Sequence, residues 1–150
     1  MISIHTDPRW GGSFDLILKV RPLTKKPILA KGIHQNDDEI ERAIQAGADF
    51  VLVVGRIPEV HLSKCLIEPA SLRDISGIPP ETRLVWNSRD LDTGGLKKET
   101  FEEARALWKG WLCQASNIKT IEDIKVGADA ILVGTDLIEF SKSLAFSPLL

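Results

Sequence analysis

Apolar residues cluster in seven short runs along the chain. Val, Ile and Leu dominate these runs, and several runs are apolar at nearly every position instead of alternating with polar residues. That pattern is typical of parallel strands whose two faces are both covered. We therefore predict seven strands, at Ile2–His5, Pro27–Ile33, Phe50–Gly55, Cys65–Glu68, Arg83–Asn87, Trp111–Gln114 and Ala130–Gly134.

Between these runs, apolar residues recur every three to four positions, which predicts helices. The helices are expected at Phe14–Val20, Asp37–Gly47, Phe101–Lys109 and Ile121–Gly127, with a shorter turn of helix at Ser71–Ile75. Their starts carry capping-box spacing, in which a side-chain oxygen and a carboxylate satisfy unpaired amides. The pairs with this spacing are Asn36 with Glu39, Thr100 with Glu103 and, more weakly, Thr120 with Asp123.

One segment occurs twice: Ala46–Gly55 and Val126–Gly134 share a Gly-Ala-Asp sequence that leads into an apolar run. Such a helix–Gly–strand repeat indicates a repeated β/α unit. The sequence therefore predicts an α/β fold of parallel β/α units resembling a TIM barrel, incomplete or unusually small, with a doubly wound sheet as the alternative. We expect residues 1–150 to form a single domain.

Composition narrows the possible functions. The chain is 43% hydrophobic and 27% charged, with 19 basic and 21 acidic residues and a net charge of −2. The charged residues are scattered along the chain and form no basic run. Binding to nucleic acid or to an anionic membrane is therefore not expected. Without a signal-like segment or a run of about 18 apolar residues, we expect a cytoplasmic protein.

The two cysteines and three histidines indicate no metal site. Cys65 and Cys113 lie inside apolar runs, so we expect buried thiols and no disulfide. The histidines are far apart in sequence, without the spacing of metal ligands.

Polar residues at the ends of the predicted strands are the candidates for chemistry, because the carboxyl ends of barrel strands form the active site. Lys31 follows Leu29 in phase, and Glu68 follows Leu66 in phase. Across a barrel mouth, the two would form an acid–base couple. The alternatives are that Lys31 merely pairs with a carboxylate and that Glu68 is solvated or ion-paired.

The later strand ends carry groups suited to holding a ligand. Strand periodicity puts Asn87 and Arg89 on one side, where Arg can bind a carboxylate or phosphate and Asn a hydroxyl or amide. Pairing of Arg89 with a nearby aspartate, Asp90 or Asp92, is the alternative. We expect the couple and these two residues to converge at one mouth.

Two other segments contribute candidate ligand contacts. Ser116, Gly134 and Thr135 follow the last two strands, where hydroxyls and helix-start amides bind phosphate. Trp10 precedes a Gly-Gly pair in a loop, which is either an aromatic lid or an ordinary turn.

Taken in order, these segments resemble the indole-3-glycerol phosphate synthase family over most of the chain. The segments that carry the resemblance are Thr6-Asp-Pro-Arg-Trp-Gly-Gly-Ser13, Pro27-Ile-Leu-Ala-Lys-Gly-Ile33, Glu39 to Val53, Leu66-Ile-Glu68, Trp86-Asn-Ser-Arg-Asp-Leu91 and Val133-Gly-Thr-Asp-Leu137. The resemblance implies ring closure and decarboxylation of 1-(2-carboxyphenylamino)-1-deoxyribulose 5-phosphate in tryptophan biosynthesis, with no cofactor.

The resemblance also implies a role for each candidate residue. Lys31 would be the general acid and Glu68 the proton acceptor. Asn87 and Arg89 would hold the hydroxyl and the carboxylate of the substrate. The remaining contacts would be Trp10 on the anthranilate ring and Ser116, Gly134 and Thr135 on the phosphate.

The chain departs from the family at several positions. Gly32 stands where the family has Asp, Ala115 where it has Glu, and Asn117 where it has Gly, and Met1 falls directly before the family's second strand. A barrel lacking one strand leaves two open edges, so we expect either a homo-oligomer that covers them or a barrel that closes with seven strands. Two other functions stay open: a non-catalytic protein that binds a phosphorylated ligand or serves in assembly, and another phosphosugar enzyme such as a phosphoribosyl isomerase.

Overall fold

Strands and helices alternate throughout the part of the chain that the structure describes. The structure is a computed structural model that describes residues 1–145. The chain divides after Ala70 into two compact units, the first Met1–Ala70 and the second beginning at Ser71. Each unit is built from parallel strands joined by helical segments. We describe each unit in turn.

The first unit contains four strands and two α-helices. The strands are β1 (Ile2–His5), β2 (Ile28–Lys31), β3 (Phe50–Val54) and β4 (Cys65–Glu68). They are hydrogen-bonded in chain order, and every neighbouring pair is parallel. The helices are α1 (Phe14–Val20) and α2 (Asp37–Gln45), and 3₁₀ turns occur at Pro8–Trp10, Arg21–Leu23 and Leu62–Lys64.

Up to residue 145, where the described part of the chain ends, the second unit contains three strands and two α-helices. The strands are β5 (Arg83–Asn87), β6 (Leu112–Ala115) and β7 (Ala130–Leu132), again parallel and in chain order. The helices are α3 (Phe101–Leu107) and α4 (Leu137–Ala145), and 3₁₀ segments occur at Leu72–Gly77 and Ile121–Asp123.

The predicted class of seven strands in parallel β/α units is confirmed, and the strand ends differ from the prediction by at most two residues. The prediction of a single domain over residues 1–150 stays a prediction. Its last five residues lie outside the described residues. The sequence indicated a helix start after Gly134 and Thr135 but gave no range for helix α4, which is Leu137–Ala145.

One predicted helix is wrong. Residues Ile121–Gly127 form only the single 3₁₀ turn Ile121–Asp123. The buried side chain of Gln114 explains this, because its Nε2 donates to the Asp123 carbonyl (2.9 Å) and its Oε1 accepts from the Lys125 amide (2.8 Å). These bonds occupy backbone groups that a continuing helix would pair internally. The turn predicted at Ser71–Ile75 is the 3₁₀ segment Leu72–Gly77.

The predicted caps form with one change of partner. Thr100 with Glu103, and Thr120 with Asp123, form complete capping boxes. At α2, the Glu39 amide donates to the Asn36 side chain (3.0 Å), but the Glu39 carboxylate accepts from the amide of Gln35 (2.7 Å) rather than that of Asn36. The helix start is still capped from both sides.

The repeated Gly-Ala-Asp sequence holds a strand in each unit. In the first unit, the Asp49 carboxylate accepts from the Ile28 amide and from Arg21, both at 2.8 Å. Arg21 also donates to the Gly47 carbonyl (3.4 Å), and Gly47 adopts a φ of 108°. A Cβ at Gly47 would lie 2.9 Å from Arg21 Cγ, so both the backbone and the space require glycine here.

The same arrangement recurs in the second unit. The Asp129 carboxylate accepts from the Leu112 amide (2.8 Å) and from Arg105 (3.2 Å). Arg105 donates in turn to the Gly127 carbonyl (3.2 Å). We call these two arrangements the Asp49 clamp (Arg21, Ile28, Gly47, Asp49) and the Asp129 clamp (Arg105, Leu112, Gly127, Asp129). They explain physically why the segment is repeated.

Candidate active site

Lys31 is the last residue of β2, so it lies at the carboxyl end of the first unit's sheet. Its neighbour across the sheet is His5, the last residue of β1. The Thr6 amide donates to the Lys31 carbonyl at 2.9 Å, which extends the ladder by one residue. The side chain of Lys31 is half-buried.

The register of the first unit defines which residues share a face with Lys31. Neighbouring residues at one register position of a parallel sheet point to the same side, and alternate residues along a strand do so too. This face, which we call the Lys31 face, consists of Ser3, His5, Leu29, Lys31, Phe50, Leu52, Val54, Leu66 and Glu68. The opposite face is almost entirely buried and apolar, whereas the Lys31 face carries the ionisable groups.

Glu68 lies on the Lys31 face at the end of β4. Only 2% of Glu68 is exposed, so its carboxyl group is enclosed by the protein. The two members of the predicted acid–base couple therefore share one face and one end of the first unit's sheet. Their catalytic roles stay predictions.

His5 is a site residue that the sequence did not reveal. It is next to Lys31 on the same face, and its ring lies 5.9 Å from the Trp10 ring, centroid to centroid. Burial and then the Lys31 charge lower the pKa of His5, against a smaller opposing effect of Asp7. Register alone connects His5 to Lys31, and register is not visible in a sequence.

Trp10 lies in a tight turn and contacts the site through His5. The Asp7 side chain caps the 3₁₀ turn Pro8–Trp10 by accepting from the Arg9 amide at 2.9 Å, and the Arg9 guanidinium lowers the pKa of Asp7. Trp10 remains 52% exposed. At Gly12, a Cβ would lie 2.4 Å from the His5 carbonyl oxygen, so the loop packs too closely on β1 for any other residue.

Gly32, which replaces the family's Asp, is required by a buried hydrogen bond. The Thr6 hydroxyl lies 3.0 Å from His34 Nε2 and 3.3 Å from the Lys31 carbonyl, and His34 Nδ1 is 2.5 Å from the Leu52 carbonyl. A Cβ at Gly32 would come within 2.5 Å of Thr6 Oγ1 and 3.1 Å of His34 Cε1. Thr6 and His34 thus tie the ends of β1 and β2 to the middle of β3 beside Lys31.

A pocket of about 570 Å³ lies close to these groups but is not lined by Lys31 or Glu68. Its wall includes Thr6, Arg9, Phe14, His34, Glu39 and Arg42. Several of its charged groups are already engaged, since Arg9 pairs with Asp7 and the guanidinium of Arg42 lies 4.5 Å from the centre of the Phe14 ring. The strand ends, rather than this pocket, hold the candidate chemistry of the first unit.

In the second unit, Asn87 ends β5 and is 8% exposed. Its side-chain oxygen accepts from the Arg89 amide at 3.0 Å, which fixes the start of the following loop. Asp90, one of the two suggested alternative partners of Arg89 beside Asp92, accepts from the amides of Asp92 (2.9 Å) and Thr93 (3.0 Å). The Asp90 carboxylate therefore holds the loop turn.

Ser116 and Asn117 follow β6 with left-handed backbones, at φ values of 68° and 54°. The Asn117 side chain donates to Ser88 Oγ at 2.8 Å, and Ser88 Oγ lies 3.4 Å from the Ser116 carbonyl. Asn is one of the few residues besides Gly that tolerates this conformation. Asn117 thus keeps the backbone that the family's Gly would supply, and it joins the ends of β5 and β6.

Gly134 and Thr135 lie in the short connection between β7 and α4 and are exposed. The Gly134 carbonyl accepts from the Leu137 amide at 3.0 Å. The two residues therefore lie directly before a helix start, as the sequence indicated, where free amides and the helix dipole favour an anion. A phosphate site at this position stays a prediction.

Parallel strands joined by helical segments define each unit as part of an α/β protein built from β/α units. In proteins of this class, ligands commonly bind at the carboxyl ends of the strands. The sequence is 30% identical to indole-3-glycerol phosphate synthase of Pyrococcus abyssi over 160 residues, which covers 92% of this chain and 70% of that protein. The chain belongs to the indole-3-glycerol phosphate synthase family.

Other relatives carry the same name. The Thermococcus kodakarensis protein is 30% identical over 161 residues, covering 92% of this chain and 70% of that protein. The Geobacillus protein is 28% identical over 158 residues, covering 91% of this chain and 61% of that protein. No family model matches the sequence. Among the described residues, no helix has the length and apolar character needed to cross a membrane.

Proposed function

We propose that this protein is an indole-3-glycerol phosphate synthase-type lyase of tryptophan biosynthesis. Its substrate would be 1-(2-carboxyphenylamino)-1-deoxyribulose 5-phosphate. Two features support the proposal: membership of the family, and the position of Lys31 and Glu68 on one face at the carboxyl end of one sheet. The second observation carries the chemistry, because the reaction needs a proton donor and a proton acceptor that can both reach one bound substrate.

In the proposed reaction, the aromatic carbon that bears the carboxylate attacks the substrate's carbonyl carbon. Lys31 gives a proton to the carbonyl oxygen as the carbon–carbon bond forms. Carbon dioxide then leaves and restores the benzene ring. Lys31, reprotonated from solvent, gives a second proton to the new hydroxyl, which leaves as water while Glu68 accepts a proton from the carbon next to nitrogen in the new five-membered ring. These steps balance without a cofactor.

The remaining candidates take binding roles in this proposal. Asn87 holds a hydroxyl of the substrate, and Arg89 holds its carboxylate. A guanidinium suits this role because it can form two parallel hydrogen bonds with a carboxylate. Trp10 covers the anthranilate ring. The phosphate is held by Ser116, Gly134 and Thr135, at strand ends where backbone amides favour anions.

The test of the proposal is turnover by the wild-type protein and by Lys31→Ala. The wild type should release carbon dioxide and indole-3-glycerol phosphate, and Lys31→Ala should lower kcat by roughly 10²- to 10⁴-fold, the usual contribution of a general acid. Lys64→Ala, which removes an exposed lysine before β4, is the control and should match the wild type. Unchanged turnover in Lys31→Ala would reject Lys31 as the acid.

Calorimetry separates this function from binding without catalysis. Titration of the wild type with a reduced, unreactive substrate analogue should release heat in either case. Binding without any turnover of the true substrate would favour a non-catalytic protein for a phosphorylated ligand. The absence of any binding would contradict both functions.

A further inference from the structure

His5 has no assigned role, yet it is the register partner of Lys31 on the neighbouring strand β1. Both residues end their strands and share the Lys31 face, so their side chains leave the sheet in the same direction. Trp10 lies against the ring of His5 from the loop that follows β1. A titratable ring is thus fixed in place beside the proposed acid.

The surroundings of His5 favour an uncharged imidazole. Its Nδ1 atom is buried and has no hydrogen-bond partner among the described residues. Protonation of both nitrogens would place a proton on this unsolvated atom and a second positive charge beside Lys31. The lowered pKa of His5, caused first by burial and then by Lys31, agrees with this geometry.

The geometry also favours one tautomer. The residue is partly exposed while Nδ1 is buried, so solvent reaches parts of the side chain other than Nδ1, and Nε2 is the ring nitrogen that remains for a contact. A neutral imidazole carries one proton, and placing it on Nε2 puts the N–H where water or a ligand can accept it. His5 then presents an uncharged donor next to the Lys31 ammonium.

We propose that His5 is a further catalytic residue, whose Nε2–H donates a hydrogen bond to the substrate carbonyl oxygen that Lys31 protonates. This inference rests on the proposed function and adds a second donor to it. A donor aimed at an oxygen that gains charge during the reaction stabilises the transition state more than the ground state. Its loss should therefore lower kcat with little change in KM.

Three variants test the proposal. His5→Leu removes the donor while keeping a side chain of similar size on the strand. His5→Gln replaces it with an amide whose N–H can reach a similar position. His61→Gln is the control, because His61 pairs with Glu41 (2.9 Å) before β4, at the other end of the strand from Glu68. Urea unfolding of each variant verifies that it is folded.

We expect kcat of His5→Leu to fall roughly 100-fold or more, the effect of losing one such donor, with KM within about threefold of the wild type. His5→Gln should recover at least about tenfold of that loss, and His61→Gln should match the wild type. If both His5 variants turn over like the wild type while Lys31→Ala does not, the role of His5 is overturned and the proposed function stands.

A second measurement decides the assignment without turnover. The ¹⁵N resonances of the His5 imidazole, assigned by comparison with His5→Gln, are recorded with and without the reduced substrate analogue. A shift of Nε2 on binding supports contact with His5. Unchanged resonances in a saturated complex overturn that contact, and a protein that binds no analogue overturns both this inference and the proposed function.

Discussion

At the scale of single residues, the absence of a side chain at Gly32 leaves room for the hydrogen bonds of the Thr6 hydroxyl with His34 and the Lys31 carbonyl. A Cβ there would come within 2.5 Å of Thr6 Oγ1, and the hydroxyl can escape only by breaking its contacts with His34 and the Lys31 carbonyl. We expect Gly32→Ala to lower the free energy of unfolding by about 1–3 kcal/mol, as overpacking commonly does. Urea unfolding measures the change.

The matched control for this substitution is Gly77→Ala. A Cβ at Gly77 meets no atom within 4 Å, and the residue does not need a positive φ. Its stability should stay within about 0.5 kcal/mol of the wild type. If Gly32→Ala is as stable as Gly77→Ala, the close packing around Thr6 and His34 is not what requires glycine.

Some candidate site residues can be recognised from one local segment of sequence, whereas others matter only because of a contact between two distant segments. Lys31 and Glu68 could be proposed from sequence because each directly ends an apolar run, in phase with a buried Leu. His5 and His34 could not, since their significance comes from partners 26 and 18 residues away. Strand register and a left-handed backbone at His34 create these contacts, and neither is written in local composition.

At the scale of elements, the Asp49 clamp and the Asp129 clamp fix how a helix leads into a strand. Each aspartate accepts from the amide of the first residue of a strand, Ile28 of β2 or Leu112 of β6. It also accepts from an arginine of the helical segment that precedes that strand, Arg21 or Arg105. We expect Asp49→Ala and Asp129→Ala each to lower the free energy of unfolding by about 1–3 kcal/mol, because a part-buried amide loses its acceptor.

The control for the clamps is Asp92→Ala, which removes an exposed loop carboxylate. Thermal or urea unfolding should show little change in this control. Equal stability of all three variants would mean that the repeated aspartates do not hold the strands.

Prediction at this scale succeeded where periodicity was strong and failed where one long-range bond dominated. The repeat and the apolar runs placed all seven strands within two residues of their observed ends. The segment after Thr120 also has helical spacing, but Gln114 on β6 takes the backbone groups that the helix needs. That competition comes from a different element, so the segment alone could not reveal it.

At the scale of the whole molecule, buried histidine links folding to pH. His34 is 3% exposed, and burial is the largest cause of its lowered pKa, followed by the bond to the Leu52 carbonyl, which opposes it. Glu39, Asp7 and Arg56 are the charged groups that also act on it, the carboxylates raising its pKa and Arg56 lowering it. In the unfolded chain the ordinary value of 6.5 applies.

The sign of the effect follows from these two states. Because the folded pKa lies below the unfolded one, the unfolded chain binds more protons as the pH drops below 6.5. The stabilising contribution is complete above that pH and is lost as the pH falls through the folded pKa. For one histidine the slope is at most about 1.4 kcal/mol per pH unit. Carboxyl groups such as Asp37 and Asp123, whose pKa values lie below the ordinary 3.8, add their own losses only in more acidic solution.

We therefore expect the free energy of unfolding, measured in urea between pH 7.5 and pH 5, to decline with acidification, and the decline to be shallower in His34→Asn. Asn tolerates the left-handed backbone that His34 adopts at a φ of 52°, so this variant removes the ring without forcing a new conformation. His61→Gln, which removes an imidazole at the surface, is the comparison variant. Equal slopes for the wild type and His34→Asn would mean that His34 is not the group whose protonation opposes folding. His5, whose pKa is also lowered by burial, is then the next histidine to test, with His5→Gln.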